Sequence, residues 1–370
     1  MSTQDLYARP TAGTEWDVKQ DFDTTFRWEY DDGREKLLNL YAKGKRLQWD
    51  ADERIDWSQD LDPENPAELP DEVIPIFGSD VWRRMTDGER AGVRRHYQAW
   101  QLSQFLHGEQ GALVCTAKIV QQVPNMDAKF YAATQVMDEA RHVEAFSRLL
   151  HEKYQLAYPI NPHLQALIGD TLSDSRWDFT YLGMQVLIEG VALAAFGLIR
   201  DQGKNPLTAS VNAYVMQDEA RHVAFGRLAL RDYYPHLTQK ERDEREEFAV
   251  EGCYLLRDRF LAQEVWETLG LPVEECARHV DGSDMMKLYR TSLFTRIVPT
   301  MKDIGLWGPR IQKAYADMGV LGFADTDVEA LGAHDEAVGA SFDRQRDIER
   351  TAALGAAGSA AIAPESEALQ

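Results

Sequence analysis

Apolar residues recur at helical spacing over most of this chain, in long runs that contain almost no internal proline. Strand-like alternation is scarce, so the pattern predicts an all-α protein. Proline and glycine mark the breaks, as at Pro124 and Gly203. The predicted long helices cover about 87–123, 126–155, 175–200, 207–233 and 238–269, and shorter ones lie near 281–304, 308–318 and 335–353.

The two ends of the chain differ from this helical middle. Residues 1–70 are polar and turn-rich, and we interpret residues 1–83 as an irregular arm with a short helix near 34–46. Four tryptophans are expected to anchor this arm on the helical body: Trp16, Trp28, Trp49 and Trp57. Additional helices are predicted over 269–354. Residues 355–370 are rich in Ala, Gly and Ser, which is typical of a disordered tail.

Charge and cysteine content exclude several classes of partner and site. The 370 residues include 40 Lys and Arg against 61 Asp and Glu, a net charge of −21, which disfavours nucleic acid and anionic membranes as partners. The most apolar stretch, 181–199, contains Gln185 and Glu189 and is not interpreted as a membrane span.

Three scattered cysteines exclude a disulfide framework and a cysteine zinc site. With no secretory signal visible, we expect a cytoplasmic protein.

A hexapeptide is repeated in the helical middle. Asp-Glu-Ala-Arg-His-Val occupies 138–143 and again 218–223, an offset of 80 residues. The same offset relates Glu109 to Glu189 upstream. Two copies indicate two helical hairpins of one design and not a solenoid, which needs at least three repeats.

The repeat places metal-binding side chains on one face of each helix. In Glu139-x-x-His142 the two side chains lie one turn apart, so they can bind one ion together, and Glu219-x-x-His222 repeats the arrangement. A single Glu-x-x-His motif is weak, but two copies in an identical hexapeptide are specific. The alternative to a metal site is that the repeated Asp, Glu, Arg and His residues form a buried ion-pair network without metal.

Two further glutamates are predicted to complete the site. Glu109 lies 30 residues before the first motif's glutamate, Glu189 lies 30 before the second, and both midpoints fall at helix breaks. Fifteen residues of helix rise about 22 Å in each direction, so each hairpin brings its glutamates level. Pairing the hairpins gives a four-helix bundle with four Glu and two His at one height, the ligand set of di-iron and di-manganese carboxylate bundles.

Neighbouring polar residues are predicted to support these ligands. Asp138 and Asp218 precede the motif glutamates, and we expect them to accept the Nδ1–H of the ligand histidines, each across to the opposite hairpin. Arg141 and Arg221 are expected to pair with these aspartates.

These motifs resemble the ferritin-like, ribonucleotide-reductase-like superfamily of di-iron carboxylate proteins, over about 84–268, and the Asp-Glu-x-Arg-His form is similar to its oxygenase branches. Departures from the superfamily are informative. Phe146 stands where reductase small subunits have a radical tyrosine, and Glu109 where they usually have aspartate, which disfavours a reductase. Gln185 and Val215 stand where similar arylamine N-oxygenases carry an extra histidine ligand, so that ligand is missing.

The resemblance implies an O₂-activating di-iron oxidoreductase, either a monooxygenase-type hydroxylase or an N-oxygenase. It implies two iron ions per chain, or Mn/Fe, with O₂ as co-substrate and a ferredoxin or flavin reductase as electron donor. The alternatives are a non-catalytic or ligand-binding Fe/Fe or Mn/Fe metal protein, and an acyl desaturase. Amphipathic helices around 238–304 and the usual pairing of related bundles predict a homodimer.

A substrate pocket is expected one turn from the ligands, and its mostly apolar residues suggest a small or medium apolar or aromatic substrate. Each of these residues taken singly is also typical of a bundle core. A ligand-sized cavity open to solvent beside Glu109 and Glu189 would favour the enzyme over the metal protein. The predicted pocket residues are Phe105, Thr116, Phe146, Gln185, Phe196 and Gly226.

Overall fold

The protein is mostly helical in the part of the chain that this computed structural model describes, residues 6–10, 16–26, 30 and 33–361, and no strand forms there beyond an isolated Tyr7–Ala157 bridge. We number its α-helices in chain order: α1 Glu35–Arg46, α2 Ala51–Arg54, α3 Asp80–Arg84, α4 Asp87–Gln122, α5 Met126–Arg148, α6 Pro162–Ser173, α7 Trp177–Tyr181, α8 Glu189–Gln202, α9 Pro206–Tyr233, α10 Gln239–Asp258, α11 Gln263–Thr268, α12 Val273–Gly282, α13 Asp284–Ser292, α14 Ile297–Asp303, α15 Pro309–Asp317 and α16 Val328–Ala361. The all-α prediction is therefore confirmed.

Helices α4, α5, α8 and α9 form the two hairpins of the bundle. Short turns reverse the chain within each hairpin, at 123–125 and at 203–205. Asn125 caps α5 by accepting from the Ala128 amide, and Asn205 caps α9 by accepting from the Thr208 amide. Because an Asn cap satisfies amides that the helix leaves unpaired, both turns are fixed where the sequence pattern placed them.

Two π-helical segments interrupt the bundle helices, at Leu149–Tyr154 and at Leu182–Ile188. The second joins α7 to α8 in one continuous helix from Trp177 to Gln202 and ends directly before Glu189. π-Helical turns are rare in proteins, but where they occur they are often at functional sites. Such a turn changes the face of the helix on which the following side chains lie.

The helix from Trp177 to Gln202 is long and apolar enough to cross a membrane. Its most apolar window is 83% buried inside the bundle, so the rest of this fold already covers its apolar surface. The three cysteines are also buried, and all three are free.

The N-terminal arm packs against the bundle through α1, which contacts α5 and α9. Trp49 and Trp57 contact the helical body, whereas Trp16 is 44% exposed and Trp28 lies outside the described residues. The arm thus brings residues near position 49 to the repeated hexapeptides.

The C-terminal half differs from the pattern-based prediction in its breaks. The helix predicted over 238–269 stops at Asp258, and a 3₁₀ turn, Arg259–Leu261, leads to Ala262 in the left-handed region (φ 49°) before α11 begins. No proline or glycine marks this break, so the pattern could not reveal it. Helix α16 extends to Ala361, into the segment predicted to be disordered, because its alanine-rich sequence favours helix; residues 362–370 lie outside the described part.

Candidate metal centre

Six side chains from the four bundle helices meet in the core. Each is at most 5% exposed. Their donor atoms form two groups, in each of which all atoms lie within 4.8 Å of one another. The six are Glu109, Glu139, His142, Glu189, Glu219 and His222.

The two groups share a pair of carboxylates. Glu139 and Glu219 belong to both groups, whereas Glu109 completes one and Glu189 the other. His142 Nδ1 lies 3.0 Å from Glu219 Oε1 and 3.2 Å from Glu109 Oε2. A cluster of this form offers each half three carboxylates and one imidazole, with the two shared carboxylates between the halves. It is the donor set of a dinuclear carboxylate centre.

The second half repeats this geometry. His222 Nδ1 lies 3.0 Å from Glu139 Oε1 and 3.4 Å from Glu219 Oε1. Yet His222 Nδ1, Glu189 Oε2 and both Glu219 oxygens make no hydrogen bond within the described part of the chain. Buried polar atoms normally have hydrogen-bond partners. Donor atoms that lie close together without bonding to each other are therefore suited to a shared metal ion between them.

Charge in this core requires compensation. Burial, and then the charge of Glu219, raises the pKa values of Glu109 and Glu189 well above their usual range. Four carboxylates this close repel each other when ionised, and two divalent cations would remove that repulsion. Oxygen and imidazole donors suit iron or manganese, so the residues present fit the implied metals.

The hexapeptide aspartates bind the histidines of the opposite hairpin. His142 Nε2 lies 3.1 Å from Asp218 Oδ2, and His222 Nε2 lies 3.2 Å from Asp138 Oδ2. The crossed pairing is as expected, but the expected nitrogen is wrong: the aspartates take Nε2, and Nδ1 faces the glutamates. The reason is reach, since Nε2 is the ring nitrogen farther from its own backbone and the aspartate lies on the other hairpin.

Two arginines form ion pairs with these aspartates. Arg141 Nη2 donates to Asp138 at 2.5 Å and to Asp218 at 2.9 Å, and Arg221 pairs with Asp218. Burial opposes ionisation of Asp218, but Arg221, His142 and Arg141 together lower its pKa well below the usual range. Asp218 therefore stays ionised.

Sequence reasoning missed two residues of the arm that complete this network. The Trp49 indole Nε1 donates to Asp218 at 2.8 Å, and the Gln48 amide donates to Asp138 at 2.7 Å. The concentration of tryptophan in the arm was the only signal for Trp49, and Gln48 had none.

Gln135, one turn before Glu139, was also missed. Its amide nitrogen donates to Glu139 Oε1 at 2.9 Å and to Glu189 Oε1 at 3.0 Å. Its counterpart in the second repeat is Val215, which cannot hydrogen-bond. The two halves of the centre therefore differ chemically at one pair of equivalent positions, Gln135 in the first repeat and Val215 in the second.

A small cavity adjoins the cluster. Its volume is about 20 Å³, which is room for a water molecule but not for a ring-sized ligand. The cavity therefore lies beside Glu109 and Glu189, as expected, but it is not ligand-sized. Larger grooves, of about 430 and 310 Å³, lie elsewhere, and none of the six cluster residues lines them. The residues lining the small cavity are Gln104, Phe105, Gly108, Glu109, Ala112, Leu164, Met184, Ile188, Glu189, Ala192, Phe196, Glu219 and Arg259.

The predicted pocket residues divide into two sets. Phe105 and Phe196 line the cavity and pack edge to face, with ring centroids 4.5 Å apart. The other four are buried but do not line it: Thr116, Phe146, Gln185 and Gly226.

Gly226 does not leave room for a ligand. A Cβ at this position would lie 2.5 Å from the Gln185 Cβ, so the Gln185 side chain already occupies that space.

Comparison with known proteins gives one family match. Residues 31–305 match the sequence profile of a family described as P-aminobenzoate N-oxygenase AurF. No curated protein sequence matches the chain. Among solved structures, an R2-like ligand-binding oxidase is 16% identical, with 76% of this chain and 100% of that chain covered and a TM-score of 0.49. The ribonucleotide reductase Rnr4 homodimer from Saccharomyces cerevisiae is also 16% identical, with 77% and 82% covered and a TM-score of 0.47.

The charge argument predicts opposite effects of one substitution with and without metal. Glu189→Gln removes a repelling carboxylate, so the metal-free protein should gain thermal stability, whereas the stabilisation by added Mn²⁺ or Fe²⁺ should shrink. A ligand at 100 times its Kd stabilises by about 2.7 kcal/mol, which thermal unfolding resolves easily. Glu144→Gln, an exposed change on α5, is the control. A metal-free Glu189→Gln protein less stable than wild type would contradict the argument.

The crossed aspartate–histidine pairs predict a loss of metal affinity in Asp218→Ala. Removing such a partner typically weakens metal binding or activity about 10–100-fold. Titration of the metal-free protein with Fe²⁺ under anaerobic conditions measures the affinity, and Asp232→Ala, an exposed change on the same helix, should have no effect. Unchanged affinity in Asp218→Ala would exclude this role.

Proposed function

Since the chain belongs to the AurF family of N-oxygenases, we propose that it is a dinuclear non-haem iron oxygenase that oxidises the nitrogen of an aromatic amine. The observation that supports this most is the buried cluster of four glutamates and two histidines beside an apolar cavity. The Glu139, His142, Glu219 and His222 side chains would hold the ions from the motif helices, and Glu109 and Glu189 would complete the two halves.

Two iron ions bound there would supply the redox chemistry that reduces O₂ and transfers an oxygen atom to the substrate. The chain's own residues bind and orient. Gln135 fixes the facing oxygens of Glu139 and Glu189, and the aspartates fix the histidine rings. Phe105 and Phe196 give the cavity beside the cluster an apolar wall.

Electron balance requires a reductant. Insertion of one oxygen atom from O₂ consumes two electrons and two protons and releases one water molecule. The three cysteines are buried free thiols, and burial raises their pKa values, which keeps them in the less reactive protonated form. We propose an external donor, a ferredoxin or a flavin reductase, for each turnover.

A non-catalytic or ligand-binding metal protein, Fe/Fe or Mn/Fe, is the second candidate. The observation that favours it is the cavity volume of about 20 Å³, which no organic substrate enters unless side chains move. The same volume disfavours a desaturase, which needs a long channel for an acyl chain. Hydroxylation of an apolar substrate remains within the same oxygenase proposal.

Product analysis tests the function. Iron-loaded protein, supplied with a chemical reductant and ¹⁸O₂, should convert a panel of aromatic amines to hydroxylamine, nitroso or nitro products that carry the label. Glu219→Ala, which removes a shared carboxylate, should abolish the product, and the exposed Glu144→Gln should retain it. Reoxidation of the iron without labelled product from any amine would favour the metal protein.

We also propose that the chain is a cytoplasmic homodimer. Helices α10 to α14 leave apolar side chains such as Leu288 (67% exposed) and Met285 (48% exposed) on the surface, and a second copy could cover them. Light scattering should give twice the mass of 42.0 kDa at tens of micromolar. A monomer mass at that concentration would end the dimer proposal.

A further inference from the structure

Gln135 is a buried amide that joins two glutamates of the metal cluster. It lies on α5 and its side chain is 0% exposed. Its Nε2 donates to Glu139 Oε1 at 2.9 Å and to Glu189 Oε1 at 3.0 Å, so one neutral group connects the two hairpins. An amide oxygen turned toward two carboxylates would be repelled, and these neighbours therefore fix the nitrogen end of the amide toward them.

The bond to Glu189 acts on one half of the cluster alone. Glu139 is shared between the halves, whereas Glu189 belongs to a single half, which we call the Gln135 half. We call the other one the Glu109 half. The Gln135 half comprises Glu139, Glu189, Glu219 and His222, and the Glu109 half comprises Glu109, Glu139, Glu219 and His142.

The Glu109 half has no amide at the equivalent position. Val215 lies 80 residues after Gln135, the offset of the repeat, and it is also fully buried. Its side chain has no hydrogen-bond donor, so it cannot hold two carboxylates together. This difference separates two halves whose ligand sets are otherwise alike, with three carboxylates and one imidazole in each.

The histidine contacts within the cluster do not compensate for this difference. His142 Nδ1 lies 3.2 Å from Glu109 Oε2, and His222 Nδ1 lies 3.0 Å from Glu139 Oε1. Histidine binds a metal ion through a ring nitrogen that carries no proton. These contacts therefore cease to be hydrogen bonds when an ion binds Nδ1, whereas the N–H donors of Gln135 keep their protons.

The amide of Gln135 leaves both of its carboxylates able to bind an ion. Glu139 Oε2 and Glu189 Oε2 make no hydrogen bond within the described part of the chain, and an ionised carboxylate can bind through either oxygen. Gln135 thus fixes one oxygen of each carboxylate and leaves the other available. Ligands that are held in place before the ion arrives lose less conformational freedom on binding it, which favours tighter binding.

We infer that Gln135 sets the order in which the centre fills, so that the first ion enters the Gln135 half and the second enters the Glu109 half. The inference rests on the metal site of the proposed function and not on the reaction at that site. Partners that hold metal ligands typically contribute about 10–100-fold to metal affinity. The first binding step depends on Gln135 to that extent.

Titration of the metal-free protein with Mn²⁺ tests this inference without turnover, because the electron paramagnetic resonance signal of the free ion measures what remains unbound. Gln135→Leu removes the two donors and keeps a side chain of similar bulk, so it should weaken the first binding step about 10–100-fold. Val215→Leu, the matched change in the other repeat, should leave that step unchanged. An unchanged first step in Gln135→Leu would overturn the inference.

Two ligand variants identify the half that fills first, since repulsion between two bound ions would also separate the steps. With Gln135 present, Glu189→Gln should weaken the first step, whereas Glu109→Gln should weaken only the second. When each is combined with Gln135→Leu, the two variants should affect the first step equally. A first step that Glu109→Gln weakens more than Glu189→Gln does would contradict the proposed order.

An exchanged protein tests the same point independently of how stable Gln135→Leu is. Gln135→Val combined with Val215→Gln moves the amide to the other repeat and should reverse the effects of the two ligand variants. Effects that stay as in wild type would refute the role of Gln135.

The outcomes separate this inference from the proposed reaction. Labelled product from an enzyme whose first binding step ignores Gln135 would refute the order of filling and leave the oxygenase intact. Filling that depends on Gln135, without labelled product from any amine, would support the order and refute the oxygenase.

Discussion

Compensation of charge in the buried core is the constraint on which the rest of this structure depends. Four carboxylates and two imidazoles lie where water cannot solvate them, and each must face a cation or a hydrogen-bond donor. The protein meets part of this need itself, through Gln135 on one side and the arginine-bound aspartates on the other. The remaining need is for divalent metal.

The part of the molecule that repeats could be predicted from the sequence. Equal spacing between Glu109 and Glu139 and between Glu189 and Glu219, with helix breaks midway, fixes the level of each pair through the constant rise of a helix. The structure accordingly brings all six residues together. The crossed aspartates followed from the twofold relation of the repeats.

The parts that do not repeat were beyond sequence reasoning. Gln48 and Trp49 reach the aspartates through long-range packing of the arm, which leaves no periodic signal in the chain. The break at Arg259 lacks a proline or glycine, and the choice between Nε2 and Nδ1 depends on distances between hairpins. The cavity depends on how large side chains interlock, so only Phe105 and Phe196 of the expected pocket residues line it.

The crossed pairing of aspartates and histidines also bears on the order in which the protein assembles. Each hairpin carries the histidine of one half and the aspartate that orients the histidine of the other, so neither hairpin alone contains a finished half-site. Helix α9, which brings the last two of these groups, Asp218 and His222, is synthesised some eighty residues after its counterpart in the first hairpin. A nascent chain with only the first hairpin folded therefore offers metal an incomplete set of donors. A complete set of donors for metal therefore forms only once the two halves have docked.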